Sequence, residues 1–380
     1  MSVAAGEPYL YDRAGAHYSP DEPRWRGVDG SPLMTSALPG ITRSDIDVDE
    51  RSIWRYRRSF PFETASWTTL GEGCTPIVER PWGGHDVPFK LEWFNPTGSF
   101  KDRGASVLIS ALARQGVDSI LEDSSGNGGA AIAAYAAAAG LKAKILAPES
   151  TSPPKLLQAR AFGATVELVP GNRDATAREA LRQSETSFYA SHNWHPYFLQ
   201  GTKTLGYEIW EDLGFRAPDN IVLVAGAGSL VLGCDLAFGE LIESGEIARR
   251  PRLLVAQPAN CAPLFSALHP ESGLRGPWTP TIAEGTAIAS PIRSAEVVDA
   301  VRRSHGDIIT LSEEEIGDAT RRLAATGLYA EPTSAQAAAA YDRYIRSGAL
   351  DPNQTTVVVL TGSGLKASVQ MSGIFGGLTE

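Results

Sequence analysis

Lys101 is the residue whose type and setting best suit covalent chemistry. It lies in the run Asn95-Pro-Thr-Gly-Ser-Phe-Lys-Asp-Arg103, where Gly98 permits a turn and Arg103 follows two residues after the lysine. A lysine amine attacks a carbonyl carbon only in its neutral form, which partial burial or a neighbouring cation promotes. Because a lone lysine after a loop is more often a solvated surface residue, its interpretation depends on the motifs around it.

A second motif, Ser124-Ser-Gly-Asn-Gly-Gly129, follows a predicted strand and precedes an alanine-rich helix. Such a turn offers backbone N–H groups at a helix N-terminus, which suits an anion such as a substrate carboxylate. The side chain of Asn127 adds a hydrogen-bond donor. A helix cap without a ligand is the alternative interpretation of this motif taken alone.

A third motif, Ala225-Gly-Ala-Gly-Ser-Leu-Val-Leu-Gly233, also lies between a strand and a helix. Glycines let the backbone approach a phosphate, and the following helix favours its negative charge. The spacing differs from that of a dinucleotide-binding loop, and no acidic residue for a ribose is evident downstream. The motif therefore favours a single phosphate, and an NAD-binding oxidoreductase is disfavoured.

A fourth motif, Leu360-Thr-Gly-Ser-Gly-Leu-Lys366, follows the last predicted strand. The hydroxyl of Thr361 is suited to hydrogen-bond a pyridine nitrogen. Unlike a carboxylate, a hydroxyl does not force that nitrogen to be protonated.

Strands alternate with helices around these motifs. We predict strands at 87–92, 119–122, 143–147, 165–169, 220–225, 252–256 and 355–360, and helices at 102–115, 128–139, 153–162, 175–183, 202–213, 230–244, 312–326 and 334–347. This pattern indicates an α/β protein of two lobes, with mostly parallel sheets covered by helices. Residues 1–50 lack periodicity and are expected to form an irregular N-terminal arm. Ligands of such folds bind beyond the carboxyl ends of strands, where the motifs lie.

The composition narrows the class of protein. The 380 residues carry a net charge of −10 without a long basic run, which argues against nucleic-acid binding. The three cysteines suggest neither a disulfide framework nor a metal site. The first residues do not resemble a signal peptide, and the alanine-rich stretch is too short to span a membrane. We expect a cytoplasmic enzyme with a small-molecule substrate and no membrane or nucleic-acid partner.

Taken together and in this order, the motifs closely resemble those of threonine synthase and its relatives, which are pyridoxal 5'-phosphate (PLP) enzymes of fold type II. Gly71-Glu-Gly-Cys-Thr-Pro76 and Trp54-Arg-Tyr-Arg57 extend the resemblance over about residues 50–370. It implies a large PLP-binding domain of residues 51–100 and 201–380, a smaller mobile domain of residues 101–200, and a homodimer.

The resemblance also implies roles for single residues. Lys101 would carry PLP as a Schiff base and act as the general acid and base, Asn127 would contact the phenolic oxygen, and Thr361 would face the pyridine nitrogen. The phosphate would lie against Gly226, Ala227, Gly228, Ser229 and Leu230. The substrate carboxylate would bind Ser124, Ser125, Gly126 and Asn127.

Several positions depart from the family pattern. Gly128-Gly129 stands where threonine synthases commonly have Thr-Ser, and His195-Pro-Tyr-Phe-Leu-Gln200-Gly201 replaces Asn-Pro-Tyr-x-Leu-Glu-Gly. We expect His195 and Gln200 to influence substrate choice. Lys155 matches a family lysine that would meet a substrate phosphate, although a solvated helix lysine is an equal alternative.

The N-terminal segments 11–15 and 26–30 look like the halves of a zinc knuckle with every cysteine replaced, so no metal is expected.

The leading hypothesis is a PLP-dependent lyase of amino-acid biosynthesis that converts O-phosphohomoserine and water into threonine and phosphate. The alternative keeps PLP but changes the substrate. It is a β-elimination or β-replacement enzyme, such as an ammonia-lyase or a synthase of a specialised pathway, and it is motivated by Gly128-Gly129, His195 and Gln200. A non-catalytic relative that binds PLP for regulation is a further possibility, which the retained Lys101 disfavours.

Overall fold

A computed structural model describes residues 7–376, and their contacts divide the chain into two compact units. Of these residues, unit 1 takes in 7–73 and Lys101–Thr204. Unit 2 takes in Cys74–Phe100 and 205–376. Within the described residues, no helix is both long enough and apolar enough to span a bilayer.

The strands and helices are numbered here along the chain. The strands are β1 (Leu10–Tyr11), β2 (His17–Tyr18), β3 (Met34–Thr35), β4 (Ile77–Trp82), β5 (His85–Leu91), β6 (Ser119–Glu122), β7 (Lys142–Pro148), β8 (Thr165–Val169), β9 (Phe188–Tyr189), β10 (Asn220–Val224), β11 (Arg252–Pro258), β12 (Asp307–Leu311) and β13 (Thr356–Leu360). The helices are α1 (Lys101–Arg114), α2 (Asn127–Ala139), α3 (Pro153–Ala161), α4 (Arg173–Gln183), α5 (Pro196–Asp212), α6 (Ser229–Glu243), α7 (Pro263–Leu268), α8 (Ser294–Arg303), α9 (Glu313–Ala325), α10 (Pro332–Arg346) and α11 (Ser368–Phe375).

Unit 1 is built on a parallel four-stranded sheet with the strand order β8-β7-β6-β9. Its core joins the buried faces of α1 and α2, including Leu108, Ile109 and Ile132. The alanine-rich sequence of α2 allows close packing against α1, since alanine adds little bulk between two helices. The helix ends at Gly140, whose φ of +74° is a left-handed conformation that glycine adopts without strain.

The N-terminal arm contains more structure than the sequence predicts, because β1, β2 and β3 form a small antiparallel sheet. Strands of two residues are too short to produce a periodic pattern. Hydrogen bonds join the first of the segments that resemble zinc-knuckle halves to the second segment and the residue after it. The Ala14 N–H donates to Asp29 Oδ2 at 3.2 Å, and the Arg13 N–H donates to Ser31 Oγ at 3.0 Å. Among the described residues, no group of three or more His, Cys, Asp or Glu side chains could hold a metal ion.

Residues 51–73 group with unit 1, whereas the domain boundaries expected from the resemblance put them in the large domain. Trp54 Nε1 donates to Ser106 Oγ of α1 at 2.9 Å, and the Thr68 N–H donates to Ser110 Oγ at 2.8 Å. Glu72 accepts a hydrogen bond from Tyr135 of α2 at 2.7 Å. These contacts tie the segment to α1 and α2.

Unit 2 contains a six-stranded sheet with the order β12-β11-β10-β13-β5-β4. Its strands are parallel except for the edge pair β4 and β5, which is antiparallel. Every residue of β10 and β13 is buried, as their apolar sequences predict for central strands. Because β10 and β13 are parallel neighbours, the segments that follow them emerge side by side at one edge of the sheet.

A buried ion network lies beneath the antiparallel edge of unit 2. Lys90 Nζ is 2.6 Å from Glu208 Oε1 and 2.7 Å from Asp212 Oδ2, both on α5. Glu208 also accepts the backbone N–H groups of Cys74 and Thr75 at 2.9 and 2.7 Å. The network therefore fixes the Thr-Pro end of the Gly-Glu-Gly-x-Thr-Pro motif to α5.

Candidate functional site

Lys101 is the first residue of α1, and its side chain is half-buried in unit 1. Its Nζ lies 5.7 Å from the centroid of the Phe198 ring on α5. The preceding residue, Phe100, belongs to unit 2, where its backbone N–H donates to the Thr361 carbonyl at 3.0 Å. The residue immediately before the lysine is therefore hydrogen-bonded to Thr361, another predicted site residue.

The loop formed by Ser124, Ser125 and Gly126 connects β6 to α2 in unit 1, and Asn127 begins the helix. Ser124 is buried, Ser125 and Asn127 are half-buried, and Gly126 is exposed. The N-cap residue is Gly126, which has no side chain that could cap the helix. The start of α2 therefore has no capping side chain, which fits the anion site that the sequence predicts.

His192, which the sequence analysis did not single out, fills the space beside Gly128. A Cβ atom added at Gly128 would lie 2.8 Å from His192 Cε1 and 3.0 Å from Ser124 Oγ. A Cβ at Gly129 would lie 1.8 Å from the Ser124 carbonyl oxygen. This backbone therefore requires glycine at 129, and at 128 the imidazole ring occupies the volume that a side chain would need.

A buried carboxylate holds His192 in place. Its Nδ1 lies 2.9 Å from Glu122 Oε1, and its backbone N–H donates to Glu122 Oε2 at 3.0 Å. Burial raises the pKa of Glu122 to about 7. Burial also lowers the pKa of His192 well below its ordinary value, and the positive charge of Lys101 lowers it further. His192 was not predictable because it is 64 residues from Gly128 in sequence and belongs to no family motif that we recognised.

The remaining predicted residues of unit 1 occupy different settings. Lys155 is half-buried in the first turn of α3. His195 is buried, its Nδ1 accepts the Tyr197 N–H at 3.2 Å, and its ring lies 6.1 Å from that of Phe188. Gln200 is also buried.

Gln200 lies among side chains that hold the N-terminal arm. It donates to Thr35 Oγ1 of β3 at 2.7 Å and accepts from Lys203 Nζ at 2.6 Å. These contacts give the glutamine a structural function in unit 1.

The third motif lies in unit 2 as predicted, with Gly226, Ala227 and Gly228 joining β10 to α6. All three are buried, as are Ser229 and Leu230 in the first turn of the helix. The N-cap residue Gly228 has a φ of +85° and offers no capping side chain, and the first turn of α6 has no acidic residue. Buried N–H groups at such a helix start have the chemistry to hold a phosphate.

Thr361 follows β13, next to the phosphate-type loop that follows β10. It is buried, and its Oγ1 lies 3.0 Å from Ser334 Oγ of α10. Ser334 Oγ also accepts the Gly362 N–H at 2.7 Å. Ser334 thus positions the threonine, a contact that sequence spacing could not reveal.

The donor set in each unit fits PLP. Unit 2 provides a buried glycine-rich helix start for a phosphate and a buried hydroxyl for a ring nitrogen. Unit 1 provides an amine at Lys101 and a side-chain amide at Asn127.

Comparison with known proteins places these features in a family. Residues 68–362 match the pyridoxal-phosphate dependent enzymes. The threonine synthase of Methanocaldococcus jannaschii is 32% identical over 83% of this chain and 81% of its own length. That of Synechocystis is 34% identical over 90% of this chain and 91% of its own.

Solved structures show the same fold. O-ureido-L-serine synthase with bound O-ureido-L-serine has a TM-score of 0.67 at 25% identity, covering 81% of this chain and 92% of that one. Threonine deaminase isoform 2 of Solanum lycopersicum has a TM-score of 0.68 at 23% identity, covering 80% of this chain and 84% of that one. The chain therefore belongs to the pyridoxal-phosphate dependent enzymes of fold type II, in the threonine synthase family.

Proposed function

We propose that this PLP-dependent lyase converts O-phosphohomoserine and water into threonine and inorganic phosphate. The observation that carries the proposal is the identity of more than 30% to threonine synthases, which extends through both units. The four motifs follow strands of the two mostly parallel sheets or begin the helices after them, which is where this fold class binds ligands.

The residues of unit 2 would hold the cofactor's ends. The backbone N–H groups of Gly226–Leu230 would bind its phosphate, since the start of α6 is buried and lacks an acidic residue. Thr361, positioned by Ser334, would hydrogen-bond its ring nitrogen. A neutral hydroxyl leaves that nitrogen unprotonated, so proton transfers would depend on bases in the protein.

The residues of unit 1 would bind and deprotonate the substrate. Bound PLP withdraws electrons from the α-carbon of an amino acid and so acidifies its hydrogens. Lys101 would hold the cofactor covalently and move protons, and Asn127 would donate to its phenolic oxygen. Ser124, Ser125, Gly126 and the first N–H groups of α2 would bind the substrate carboxylate, and Lys155 and His195 would contact the rest of the substrate.

The direct test is an assay with O-phosphohomoserine as the only substrate. We expect equal amounts of phosphate and threonine to be released by the PLP-loaded protein, measured by colorimetry and amino-acid chromatography. A Lys155→Ala variant should raise KM for this substrate more than it lowers kcat, because a phosphate contact contributes to binding. Absence of both products would reject the proposal.

The pair Gly128-Gly129 favours a second candidate, a β-elimination or β-replacement enzyme such as an ammonia-lyase. The loop lacks the hydroxyls common in threonine synthases and has His192 in the vacated volume. Screening L-serine, L-threonine and O-substituted L-serines for ammonia and 2-oxo acid release separates the two candidates. Turnover of one of these amino acids without turnover of O-phosphohomoserine would favour the second.

We also propose a cytoplasmic homodimer. The proposal rests on analogy with fold type II enzymes and on the composition of the chain. Sedimentation of the PLP-loaded protein should give twice the chain mass of 40.5 kDa, and a monomeric mass would contradict it.

A further inference from the structure

The ring of His192 is held in unit 1 between the 124–129 loop and the helix that carries Phe198. The centroid of the Phe198 ring lies 5.6 Å from that of His192 and 5.7 Å from Lys101 Nζ. His192 and the proposed cofactor lysine therefore flank the same aromatic ring. The His192 side chain is 4% exposed, and its ring lies 2.8 Å from the position of a Cβ atom added at Gly128 in the first turn of α2. It is therefore well placed to meet a ligand at the start of that helix.

The contacts of Glu122 determine which nitrogen of the imidazole is available. Burial raises the pKa of this carboxyl to about 7. It accepts the backbone N–H groups of His192 and Asp123 at 3.0 and 3.1 Å, and both donors favour its ionised form. When Glu122 is ionised, the remaining contact, to His192 Nδ1 at 2.9 Å, is made by an Nδ1–H donor. A neutral imidazole held in this way has its lone pair on Nε2.

We propose that His192 is a substrate-contacting acid–base residue at the 124–129 loop, with Glu122 as its positioning residue. The inference rests on the proposed function of that loop as the substrate-carboxylate site. Beside the position where threonine synthases commonly have hydroxyls that donate hydrogen bonds, this chain has an imidazole ring. In the tautomer described above, its Nε2 accepts a hydrogen bond instead. The hydrogen-bond donor that suits this Nε2 is an O–H or N–H group of the substrate, or a water molecule that attacks the substrate.

His192 takes up the proton of the attacking water directly. When Nε2 takes a proton from water, the O–H bond breaks, its electron pair stays on oxygen for attack on the substrate, and an N–H bond forms. Glu122 stabilises the resulting imidazolium through Nδ1–H, as a carboxylate does for other catalytic histidines. The other charged groups that act on His192 are Lys101, Asp123 and Arg173.

The first experiment is chemical rescue of the PLP-loaded His192→Ala variant with O-phosphohomoserine as substrate. We expect kcat to fall by about 100-fold or more, the scale of general acid–base catalysis, with KM changed by less than about 3-fold. Added imidazole should restore kcat at least about 10-fold by occupying the vacated volume. A loss of kcat that imidazole does not restore, in a folded variant, would overturn the proposal.

His269→Ala is the matched control. His269 also contacts two carboxylates, Asp307 at 2.8 Å and Glu271 at 3.2 Å, but it lies in unit 2 and outside the motifs. Its replacement should leave kcat unchanged, with no effect of imidazole. Stimulation of this variant by imidazole equal to that of His192→Ala would also overturn the proposal.

A second measurement does not depend on turnover or on a stable variant at position 192. In ¹⁵N-histidine spectra of the PLP-loaded protein, the His192 resonances can be identified from their displacement in Gly128→Ala, whose new Cβ presses on the ring. We expect a protonated Nδ1 and an unprotonated Nε2, with Nε2 perturbed by added L-serine or L-threonine. A protonated Nε2 that neither amino acid perturbs would contradict the inference.

This second measurement also separates the two proposals. If O-phosphohomoserine is not turned over but Nε2 responds to an amino acid, the proposed reaction fails and the inference about His192 stands.

Discussion

At the scale of single residues, the contacts that complete the site come from side chains distant in sequence from the motifs. Ser334 of α10 hydrogen-bonds both the hydroxyl of Thr361 and the N–H of Gly362. His192 fills the volume beside Gly128. Such partners depend on which elements pack together, so the type and spacing of the motif residues contain no information about them.

Ser334→Ala tests the positioning of Thr361. The variant leaves the Gly362 N–H and the threonine hydroxyl without this partner in a buried setting, a loss that costs about 1–3 kcal/mol. We expect lower stability in urea unfolding and weaker PLP binding in a titration of the visible absorbance. Ser347→Ala, at the exposed end of the same helix, is the control. Equal effects of the two variants would contradict the assigned role.

At the scale of elements, the phosphate-type loop depends on the backbone conformation of Gly228. Its φ is +85°, and an added Cβ would lie 2.2 Å from Val297 Cγ2 of α8. The glycine thus both turns the chain into α6 and allows α8 to approach.

Gly228→Ala should therefore destabilise the loop by more than the cost of placing alanine in a left-handed conformation. Forcing alanine into that conformation costs about 1–2 kcal/mol, and the contact with Val297 adds to it. Gly214→Ala is the control, because Gly214 has a φ of +68° with no atom within 4 Å of an added Cβ. Thermal unfolding and the affinity for inorganic phosphate should both change more in Gly228→Ala. Equivalent behaviour would show that Val297 does not restrict the loop.

The elements that the sequence predicted well are those with strong local signals. The bounds of β6 and β8 match the prediction, and α2 ends before Gly140 as expected. Helix α5 begins at Pro196, six residues earlier than predicted, although proline at a first helical position is a recognisable signal. Besides the short strands of the N-terminal arm, the sequence did not predict β4, β9, β12, α7, α8 and α11. Strand β4 contains Pro81 and pairs only at a sheet edge, which weakens its pattern.

At the scale of the whole molecule, the chain passes repeatedly from one unit to the other, and buried polar groups fix the crossing segments. Glu72 accepts from Tyr135 in unit 1, and two residues further on Glu208 binds Cys74 and Thr75 in unit 2. The Gly-Glu-Gly-x-Thr-Pro motif thus has a structural function at a crossing. The resemblance was enough to locate this motif in the sequence. It could not identify the residues that the motif contacts, Tyr135 on α2 and Glu208 on α5.

Glu208→Gln tests the importance of this anchoring. The variant leaves the ammonium of Lys90, which is 0% exposed, without its closest carboxylate. Breaking a buried ion pair costs about 3–5 kcal/mol, so we expect a clear fall in Tm by calorimetry. Asp212→Asn should cost less, because the Asp212 side chain is 36% exposed. A larger fall in Tm for Asp212→Asn would show that the exposed carboxylate of Asp212 contributes more to the network than Glu208 does.

The central claim is that Lys101 is the cofactor lysine, and the most direct measurement is reduction of the PLP-loaded protein with borohydride followed by peptide mass spectrometry. The account predicts a pyridoxyl-phosphate adduct on Lys101 in the unmodified sequence, and loss of both the adduct and the visible absorbance in Lys101→Ala. An adduct on a different lysine, or a Lys101→Ala protein that remains covalently labelled and active, would contradict it.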